Sequence, residues 1–550
     1  MPIKILKSLL LVLIIFVIGL IGQYFFSNLV NQKIRDLILN NQSQKYSIKV
    51  HNINSNLFSK SITLEGIRFD FKRESFSDVK SDTLSNNITE NISIQEVSFK
   101  GLGLLSFALT KKIIIEEVTF NDVNIFQYKI SKVKTKKVPK VNFDLDSIEL
   151  NNLNGLQIEH IVFNNFNYQL FDPETKKIEV KLNPINFELP YLEMVCSGLG
   201  KFKLKRSHKN SKIENLHFEI NRSPYDFFIG SISYGVNTNP IVITDFNIKS
   251  SIELPKLANN YPYLKNLFEG SLDTLSIYNL NLAKLIKNDG LYIDSLEISQ
   301  LNLNLFKDKN KPSENSENKI LPHVALKNLK HPLLIKKLIV KNSNVLIEEK
   351  LKGKNQTIKI PISKINIEIS NINSLIESAN EQLKFNMDAI LMNAGKVTFQ
   401  ANFPLKRTSN TFYFKGGMGT AQMHYFDRAL FPVMGLKVLS GEVDRLSFNG
   451  EANSVKATGR MIMLYHDLEA KVFKSHSLEK NKFLSWTVNT LIHKSNPKHK
   501  KQAREVIMDF ERNKDKGLGN FIWKTLETGL VNTIAPGGKQ IKSSRHHKKG

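Results

Sequence analysis

The sequence predicts a mainly β protein. We expect an elongated, curved antiparallel sheet that forms a groove-like β array, with an N-terminal transmembrane helix and C-terminal amphipathic helices. Three observations predict this class. Residues 9–26 form an uncharged apolar run, apolar residues recur at strand spacing from Tyr46 onward, and apolar residues spaced by four appear near the end of the chain.

The first element is the apolar run, in which Gln23 is the one strongly polar residue. A helix of this length measures about 27 Å, close to the thickness of a hydrocarbon core. Lys4 and Lys7 precede it, which predicts a cytoplasmic N-terminus. A cleaved signal peptide is the alternative, but no A-x-A-like cleavage site follows the run. The expected anchor positions are Leu9, Leu13, Phe16, Leu20 and Tyr24.

The rest of the chain divides by composition and period. Residues 28–45 predict a short amphipathic helix and a linker. An N-terminal β array (46–306) and a flexible, polar linker (307–319) follow. The remaining segments are a C-terminal β region (320–470), a helical end (471–536) and a disordered basic tail (537–550).

The array contains a recurring pattern in which two pairs of apolar residues, each at strand spacing, are separated by a step of three. The first copy is Ile62, Leu64, Ile67 and Phe69. A step of three moves the later residues of a plain strand to the other face, and a β-bulge restores them. A two-residue turn between short strands is the alternative. The expected slips are Glu65–Gly66, Gln95–Glu96, Glu116–Glu117, Glu159–His160, Tyr278–Asn279 and Ser299–Gln300.

Strands that repeat this pattern side by side give a sheet with one apolar face. We expect that face to be an open groove, although its residues equally suit an ordinary core. The candidate groove residues are Ile62, Leu64, Ile67, Ile113, Ile115, Leu156, Ile158, Leu275, Ile277, Leu296 and Ile298.

The C-terminal segments carry different signals. Gly441, Gly450 and Gly459 recur nine residues apart and are expected at turns of a β meander. Trp486 and Trp523 are the only tryptophans, and both fall in the predicted helical end. They are candidates for interfacial anchoring, since tryptophan favours the head-group layer. Alternatively, their helices cover an exposed sheet edge.

The chain is strongly basic, with 77 Lys and Arg against 51 Asp and Glu, a net charge of +26. Beyond a membrane, anionic lipid head groups or another polyanion suit this charge better than nucleic acid. Compositional drift in a chain rich in Lys, Asn and Ile is the alternative. The single cysteine, Cys196, excludes an internal disulfide.

With these residues in view, the chain resembles the AsmA-like envelope proteins, a group that includes TamB-type proteins. The resemblance rests on the N-terminal span, on segments near the start and on segments in the last 150 residues. These segments are 46–50 and 62–67, then 433–438, 440–446 and 464–468, and finally 483–486 and 520–526.

The resemblance implies a bacterial inner-membrane protein with one span, a cytoplasmic N-terminus and its bulk in the periplasm. It further implies a role in outer-membrane homeostasis, in which acyl chains of phospholipid or another anionic lipid follow the groove. Other envelope proteins are a second partner class.

No motif for catalysis is present: H-E-x-x-H, a P-loop, G-x-S-x-G and C-x-x-C are all missing from the sequence. We therefore expect no enzyme activity, no metal and no cofactor. The alternative function is a non-enzymatic scaffold or assembly factor that pairs envelope proteins with exposed sheet edges.

Overall fold

The structure is a computed structural model. It describes residues 23–541 with internal gaps, and every statement below concerns those residues. The gaps are 37, 40–45, 72–86, 130–153, 173–174, 198–200, 206–210, 221–222, 235–239, 282–283, 286–288, 313–318, 376–380, 406–409, 435, 473–491, 499–501 and 536.

The predicted mainly β class is confirmed: strands account for 61% of the structure and helices for 16%, in large mixed sheets. The chain divides into two compact units, Met1–Ile243 and Thr244–Gly550. The division lies inside the predicted N-terminal array.

The first described element of unit 1 is helix α1, residues 23–36. Helix α1 therefore crosses the predicted boundary between the anchor and the amphipathic helix. The expected anchor residues Leu9, Leu13, Phe16 and Leu20 lie outside the described residues, whereas Tyr24 is exposed on α1. Among the described residues, no helix has both the length and the apolar character needed to cross a membrane.

Unit 1 is a sheet whose strands follow the spatial order β3-β4-β5-β6-β7-β9-β10, with β1 and β2 beside β3 and β8 beside β7. Helix α2, Leu104–Thr110, joins β4 to β5. The strands are β1 Tyr46–Lys49, β2 Asn52–Asn56, β3 Ser61–Phe71, β4 Asn87–Lys100, β5 Lys112–Lys129, β6 Gly155–Phe171, β7 Ile178–Ser197, β8 Lys201–Lys205, β9 Ser211–Ile220, β10 Tyr225–Tyr234 and β11 Pro240–Ser250, the last of which crosses the division.

One pairing in unit 1 departs from the antiparallel sheet that the sequence predicts. Strands β5 and β6 run parallel, from Lys112 opposite Gly155 to Tyr128 opposite Phe171. Apolar periodicity reports which face a residue occupies and carries no information on strand direction, so the repeat could not reveal this pair.

The predicted steps of three occur, but adjacent strands make the step at the same level of the sheet. Leu64 opposes Val97 and Ile67 opposes Ile94, so β3 and β4 stay in register through the step. No extra residue is inserted at Glu65–Gly66 or Gln95–Glu96, nor at Glu116–Glu117 or Glu159–His160, where β5 and β6 also stay in register. The predicted bulges are wrong at these four places because a step shared by adjacent strands needs no compensating residue.

A polar rung marks the shared step. It consists of Glu65, Glu96, Asn121 and Asn164 on adjacent strands β3 to β6. Asn121 donates to Glu96 at 2.9 Å, and Asn164 donates to Asn121 at 2.8 Å. The residues beside the rung include Gly66, Asp122 and Asn165, with φ of 61°, 53° and 57°. Glycine, Asp and Asn tolerate this left-handed conformation best, which explains their place here.

The strands of unit 2 follow the order β12-(β13, β14)-β15-β16-β17-β18-β19-β21-β22-β23, with the short β20 beside β21. Strands β13 and β14 run parallel to β15. The strands are β12 Leu267–Tyr278, β13 Leu291–Ser299, β14 Asn302–Asp308, β15 Leu333–Lys350, β16 Thr357–Asn373, β17 Gln382–Leu391, β18 Gly395–Pro404, β19 Phe412–Met418, β20 Ala421–Gln422, β21 Leu436–Ala452, β22 Lys456–Val472 and β23 Glu505–Glu511.

The asparagine hydrogen bonds found at the shared step of unit 1 recur in unit 2. Asn344 on β15 donates to Asn302 on the parallel strand β14 at 2.9 Å, as Asn164 does to Asn121. The amide N–H of Asn342, at φ 45°, donates to Asn366 at 3.0 Å, as that of Asn165 does to Asn186 at 2.8 Å. Of the two slips predicted here, Gln300 separates β13 from β14 and Asn279 follows the end of β12; both have positive φ.

The helices of unit 2 are short except for the last. They are α3 Leu254–Asn259, α4 Pro322–Lys327, α5 Asp427–Met434 and α6 Leu518–Ile534, with a 3₁₀ turn at Met423–Phe426. Helix α6 packs on β22 and β23, where Gly529 lies against Met461 and Met508.

Three segment predictions need correction. Strand β23 lies inside the segment 471–536, which was predicted to be helical. The alternation of apolar residues over Glu505–Glu511 was overlooked because it directly follows a basic stretch. The start of the predicted linker, Lys307 and Asp308, belongs to β14. Residues 539–541 of the predicted tail pair with β23 through Ile507 and Glu505.

Candidate functional site

The candidate site is the apolar face of the unit 1 sheet, opposite the polar rung. It is built by strands β3 to β6, and its residues pack into one cluster. The buried members are Ile67, Ile94, Val97, Ile115, Val118, Val123 and Ile158; the partly exposed members are Val50, Leu64, Phe69, Ile92, Phe99, Leu102, Ile113, Phe120, Ile125, Leu156, Ile161, Phe163 and Phe166.

This face is incompletely covered by the described residues. Only 7 of its 20 members are buried. The main cluster of unit 2 differs, since 21 of its 36 members are buried beneath α4, α5 and α6. Among the described residues, the unit 2 cluster is thus a closed core, whereas the unit 1 cluster is a more exposed apolar face, and a face of this kind is a candidate surface for an apolar ligand.

Aromatic rings run across this face. Phe163 stacks on Phe120 with centroids 4.7 Å apart and on Phe187 of β7 with centroids 4.5 Å apart. Phe166 contacts both Phe163 and Phe187 edge to face. The stack crosses three strands at one level, so it gives the face a rigid transverse band.

Seven candidate groove residues lie in the unit 1 sheet. Leu64, Ile67, Ile113, Ile115, Leu156 and Ile158 belong to the face cluster, and Ile62 lies opposite Phe99. Three of the seven, Ile67, Ile115 and Ile158, are buried, and the other four are partly exposed. These seven residues thus lie on one face of the sheet, as the sequence predicted. The four partly exposed residues are the ones that a ligand could contact.

The other four candidates lie in unit 2. Leu275 pairs with Ile298 and Ile277 pairs with Leu296, and all four are partly exposed. The row continues onto β15, where Leu296 opposes Leu338 and Ile298 opposes Val340. Unit 2 thus carries an equivalent apolar row on its first strands, before its closed core begins.

The charged side chains of unit 1 lie at strand ends and on the outer face. Lys112 pairs with the buried carboxylate of Glu193 at 3.1 Å and donates to Gln157 at 2.7 Å. Lys100 pairs with Glu117 at 2.9 Å, and this hydrogen bond lowers the pKa of Glu117. Every member of the apolar face is an uncharged apolar residue, so the described part of this face carries no charge of its own.

Unit 2 contains a buried histidine that touches its closed core. His323 on α4 is fully buried, with Phe403 and Phe412 within 6 Å of its ring centre. The backbone of Asn410 approaches the ring and opposes the pKa shift, but neither ring nitrogen forms a hydrogen bond of regular geometry with a described residue. Burial, helped by the charge of Lys327, lowers the pKa of His323 to about 4. The ring is thus neutral at ordinary pH and packs as an aromatic residue.

The outer face of strands β18 to β23 forms an open depression of about 970 Å³. Side chains around it include Asn402, Tyr413, Lys415, Glu451 and Arg460. It lies on the side of the sheet opposite the closed core. Among the described residues, no group of His, Cys, Asp and Glu is arranged to hold a metal ion.

Of the two tryptophans that are candidates for interfacial anchoring, the structure describes one. Trp486 lies outside the described residues. Trp523 is 47% exposed on α6, whereas its neighbours Phe521 and Ile522 are buried against the sheet. Trp523 is thus available to a surface, and its helix covers β22 and β23.

The sequence reasoning missed two parts of this arrangement. The aromatic band was missed although the fourth residue of the first repeats is always phenylalanine, as in Phe69, Phe99, Phe120 and Phe163. The two hydrogen bonds that the side chain of Gln23 forms with the backbone of Ser55 and Leu57, at the end of β2, were missed as well. The isolated amide of Gln23 in an apolar run was the available signal.

Comparison with known proteins identifies no relative: no protein-family model matches this chain, and a search of curated proteins finds no significant match.

Proposed function

We propose that this chain is a membrane-anchored envelope protein that binds lipid acyl chains along the apolar face of unit 1. The supporting observation is the incomplete burial of that face, where 13 of 20 clustered apolar side chains remain partly exposed. Under this proposal the residues 9–26 hold the chain in the bacterial inner membrane, and both units lie in the periplasm.

The mechanism is passive. Aliphatic and aromatic side chains shield the acyl chain from water, which is worth about 0.8 kcal/mol per buried CH₂ group. Four such groups give about 3 kcal/mol, and the gain grows with the length of acyl chain that is covered, without a specific polar contact. Because similar side chains repeat along the strands, an acyl chain can move one step and recover the same contacts. The charged head group stays outside, in water.

No acid, base or nucleophile is needed for this role. The proposal therefore assigns binding and guidance to the protein, with phospholipid or another anionic lipid as ligand. The basic composition of the chain, with its net charge of +26, favours lipids whose head groups carry negative charge.

The test compares two triple variants of the full chain. The face variant is Leu64→Gln, Ile92→Gln and Ile125→Gln, which places amides on the apolar face. The control is Thr63→Gln, Ser93→Gln and Asn124→Gln, which changes the adjacent residue of each strand and hence the opposite face. Each protein is released in mild detergent, and its bound lipid is measured by native mass spectrometry.

We expect the face variant to lose most of its co-purified lipid, at least fivefold, while the control keeps the wild-type amount. Circular dichroism spectra of the two variants should match, since each replaces partly exposed residues. Equal lipid on both variants would remove the apolar face as the binding surface.

A further inference from the structure

One end of the unit 1 sheet carries exposed apolar side chains on its connectors. Phe58, in the turn between β2 and β3, is 62% exposed. On α2, Phe107 is 48% and Leu109 is 76% exposed. We call the connectors 57–60 and 101–111 the rim. Large apolar side chains that lie together on adjacent connectors form a patch, and such a patch marks a candidate interaction surface in a way that single scattered residues do not.

Backbone hydrogen bonds join these connectors into one surface. Leu102 donates to the carbonyl oxygen of Lys60 at 3.0 Å, which links the second connector to the first. Asn154, which precedes β6, donates to Lys111 at 3.0 Å. The rim therefore extends from β3 to β6 at the end where β3, β5 and β6 begin.

Helix α1 leaves the sheet at this same end. Gln23 donates to Ser55 at 2.8 Å and accepts from Leu57, next to the rim. The hydroxyl of Ser55 donates to the carbonyl oxygen of Ser27, also on α1. Residue 23 lies inside the uncharged run 9–26, so the proposed membrane span ends where the rim begins.

The charge of the rim suits a lipid surface. Lys60 and Lys111 are exposed beside Phe58 and Leu109, and neither forms an ion pair among the described residues. The carboxylate of the exposed Glu116 lies beside Gly101, so the rim and its surroundings carry two positive charges and one negative charge. An arrangement of apolar side chains flanked by free lysines matches the acyl boundary and the phosphate layer of a leaflet. The half-exposed face residues Leu64, Ile113 and Leu156 lie next to the rim at the starts of their strands.

We propose that the rim inserts into the outer leaflet of the membrane that holds the chain, with Phe58, Phe107 and Leu109 below the head groups and Lys60 and Lys111 at the phosphates. The apolar face then opens directly onto that leaflet. This placement rests on the anchor of the proposed function and does not require that lipid travel along the face.

The test uses the full chain in nanodiscs that contain anionic phospholipid. Cys196 is changed to Ser, and single cysteines are introduced as Phe58→Cys, Leu109→Cys and, as control, Thr175→Cys. Thr175 lies in the turn after β6, roughly 50 Å from the rim along a strand of 17 residues. Nitroxide labels on each cysteine report their access to oxygen and to a water-soluble nickel chelate.

We expect the two rim labels to be reached by oxygen and to be shielded at least tenfold from nickel relative to the Thr175 label. Rim labels as open to nickel as the control label overturn the proposal. A protein that does not co-elute with nanodiscs overturns the anchor and the rim together. Loss of co-purified lipid in the face variant moves neither label, so the two proposals fail separately.

A second measurement needs no substitution. Phospholipid that carries a diazirine in its acyl chain is photolysed with the unmodified protein in nanodiscs, and adducts are located by peptide mass spectrometry. We expect adducts on residues 57–60 and 101–111 and none on 171–178. Equal labelling of these segments would contradict the placement of the rim.

Discussion

The side-chain amide of Gln23 is bound to the backbone of strand β2, since its Nε2 donates to the carbonyl oxygen of Ser55 at 2.8 Å. Its Oε1 accepts from the N–H of Leu57. One side chain therefore supplies both a donor and an acceptor to the end of an edge strand. This contact fixes the direction in which helix α1 leaves the sheet.

The first prediction concerns this contact. Gln23→Met keeps the length of the side chain and removes both hydrogen bonds, so the local opening of β2 should become easier by about 1–3 kcal/mol. We expect the amide of Leu57 to exchange its hydrogen at least fivefold faster in hydrogen-exchange mass spectrometry. Gln32→Met, at an exposed position of α1, is the control and should leave the rate unchanged. An unchanged Leu57 rate in the first variant would show that α1 is held by other contacts.

The second prediction concerns the shared step. Asn165 has φ 57°, and its side chain hydrogen-bonds to Asp122. A β-branched residue is strained in this conformation, so Asn165→Val should destabilise β5 and β6 by about 2 kcal/mol. Asn165→Gly should cost less, because glycine adopts this conformation freely.

Hydrogen exchange of the β5 and β6 peptides measures the effect. Gln169→Val, four residues further along β6 and regularly paired with Phe126 and Lys181, is the control, since valine suits an ordinary strand position. Equal protection in the Asn165→Val and Gln169→Val proteins would mean that the step does not depend on the left-handed residue.

The third prediction concerns pH. The pKa of His323 is lowered to about 4 from an ordinary 6.5. The unfolded chain therefore binds the proton first as the pH falls, so the stability due to neutral His323 is complete above pH 6.5 and is lost as the pH approaches 4. The loss amounts to about 3 kcal/mol, taken from the difference between the two values.

His323→Leu removes this titration while it keeps an apolar side chain against Phe403 and Phe412. In a Trp486→Phe background, the fluorescence of Trp523 reports the closed core during urea unfolding. We expect the wild-type midpoint to fall between pH 6.5 and pH 4.5 by clearly more than that of His323→Leu. Parallel pH profiles for the two proteins would contradict the buried neutral ring.

The fourth prediction concerns a pair of glycines. Gly450 and Gly459 lie opposite each other in β21 and β22. A Cβ on Gly459 would lie 2.7 Å from Cε of Met508 and 2.9 Å from Cα of Gly450, and it would also meet the carbonyl oxygen of Asn449. Gly459→Ala must therefore displace backbone, and we expect a loss of about 2 kcal/mol or more.

Gly519→Ala is the control for this variant. Gly519 lies in the first turn of α6, and a Cβ at this position would have open space for 4 Å around it, so alanine should be neutral or stabilise the helix by up to about 1 kcal/mol. Thermal unfolding followed by Trp523 fluorescence compares the two. A Gly459→Ala protein that melts with the wild type would show that the two strands separate without cost.

Sequence periodicity predicted the mainly β class and the common face of the seven candidate groove residues of unit 1, because burial selects apolar side chains at regular spacing. It located the steps of three at Glu65–Gly66 and Ser299–Gln300, where Gly66 and Gln300 have positive φ, but it did not predict that conformation. It could not predict the parallel strands or which face stays open, since both depend on pairings distant in the chain. The glycines 450 and 459 were expected at turns, yet they lie within paired strands, because close strand packing and a turn select the same residue.

The shared step has a consequence for how such a chain can vary. Deletion of a single residue between Leu64 and Ile67 would move the side chains in half of β3 to the opposite face of the sheet. It would also misalign β3 with β4, which has its own step at the same level. Changes of length are thus confined to the connectors beyond the strand ends. An array of this kind can gain whole strands far more readily than it can gain one amino acid within a strand.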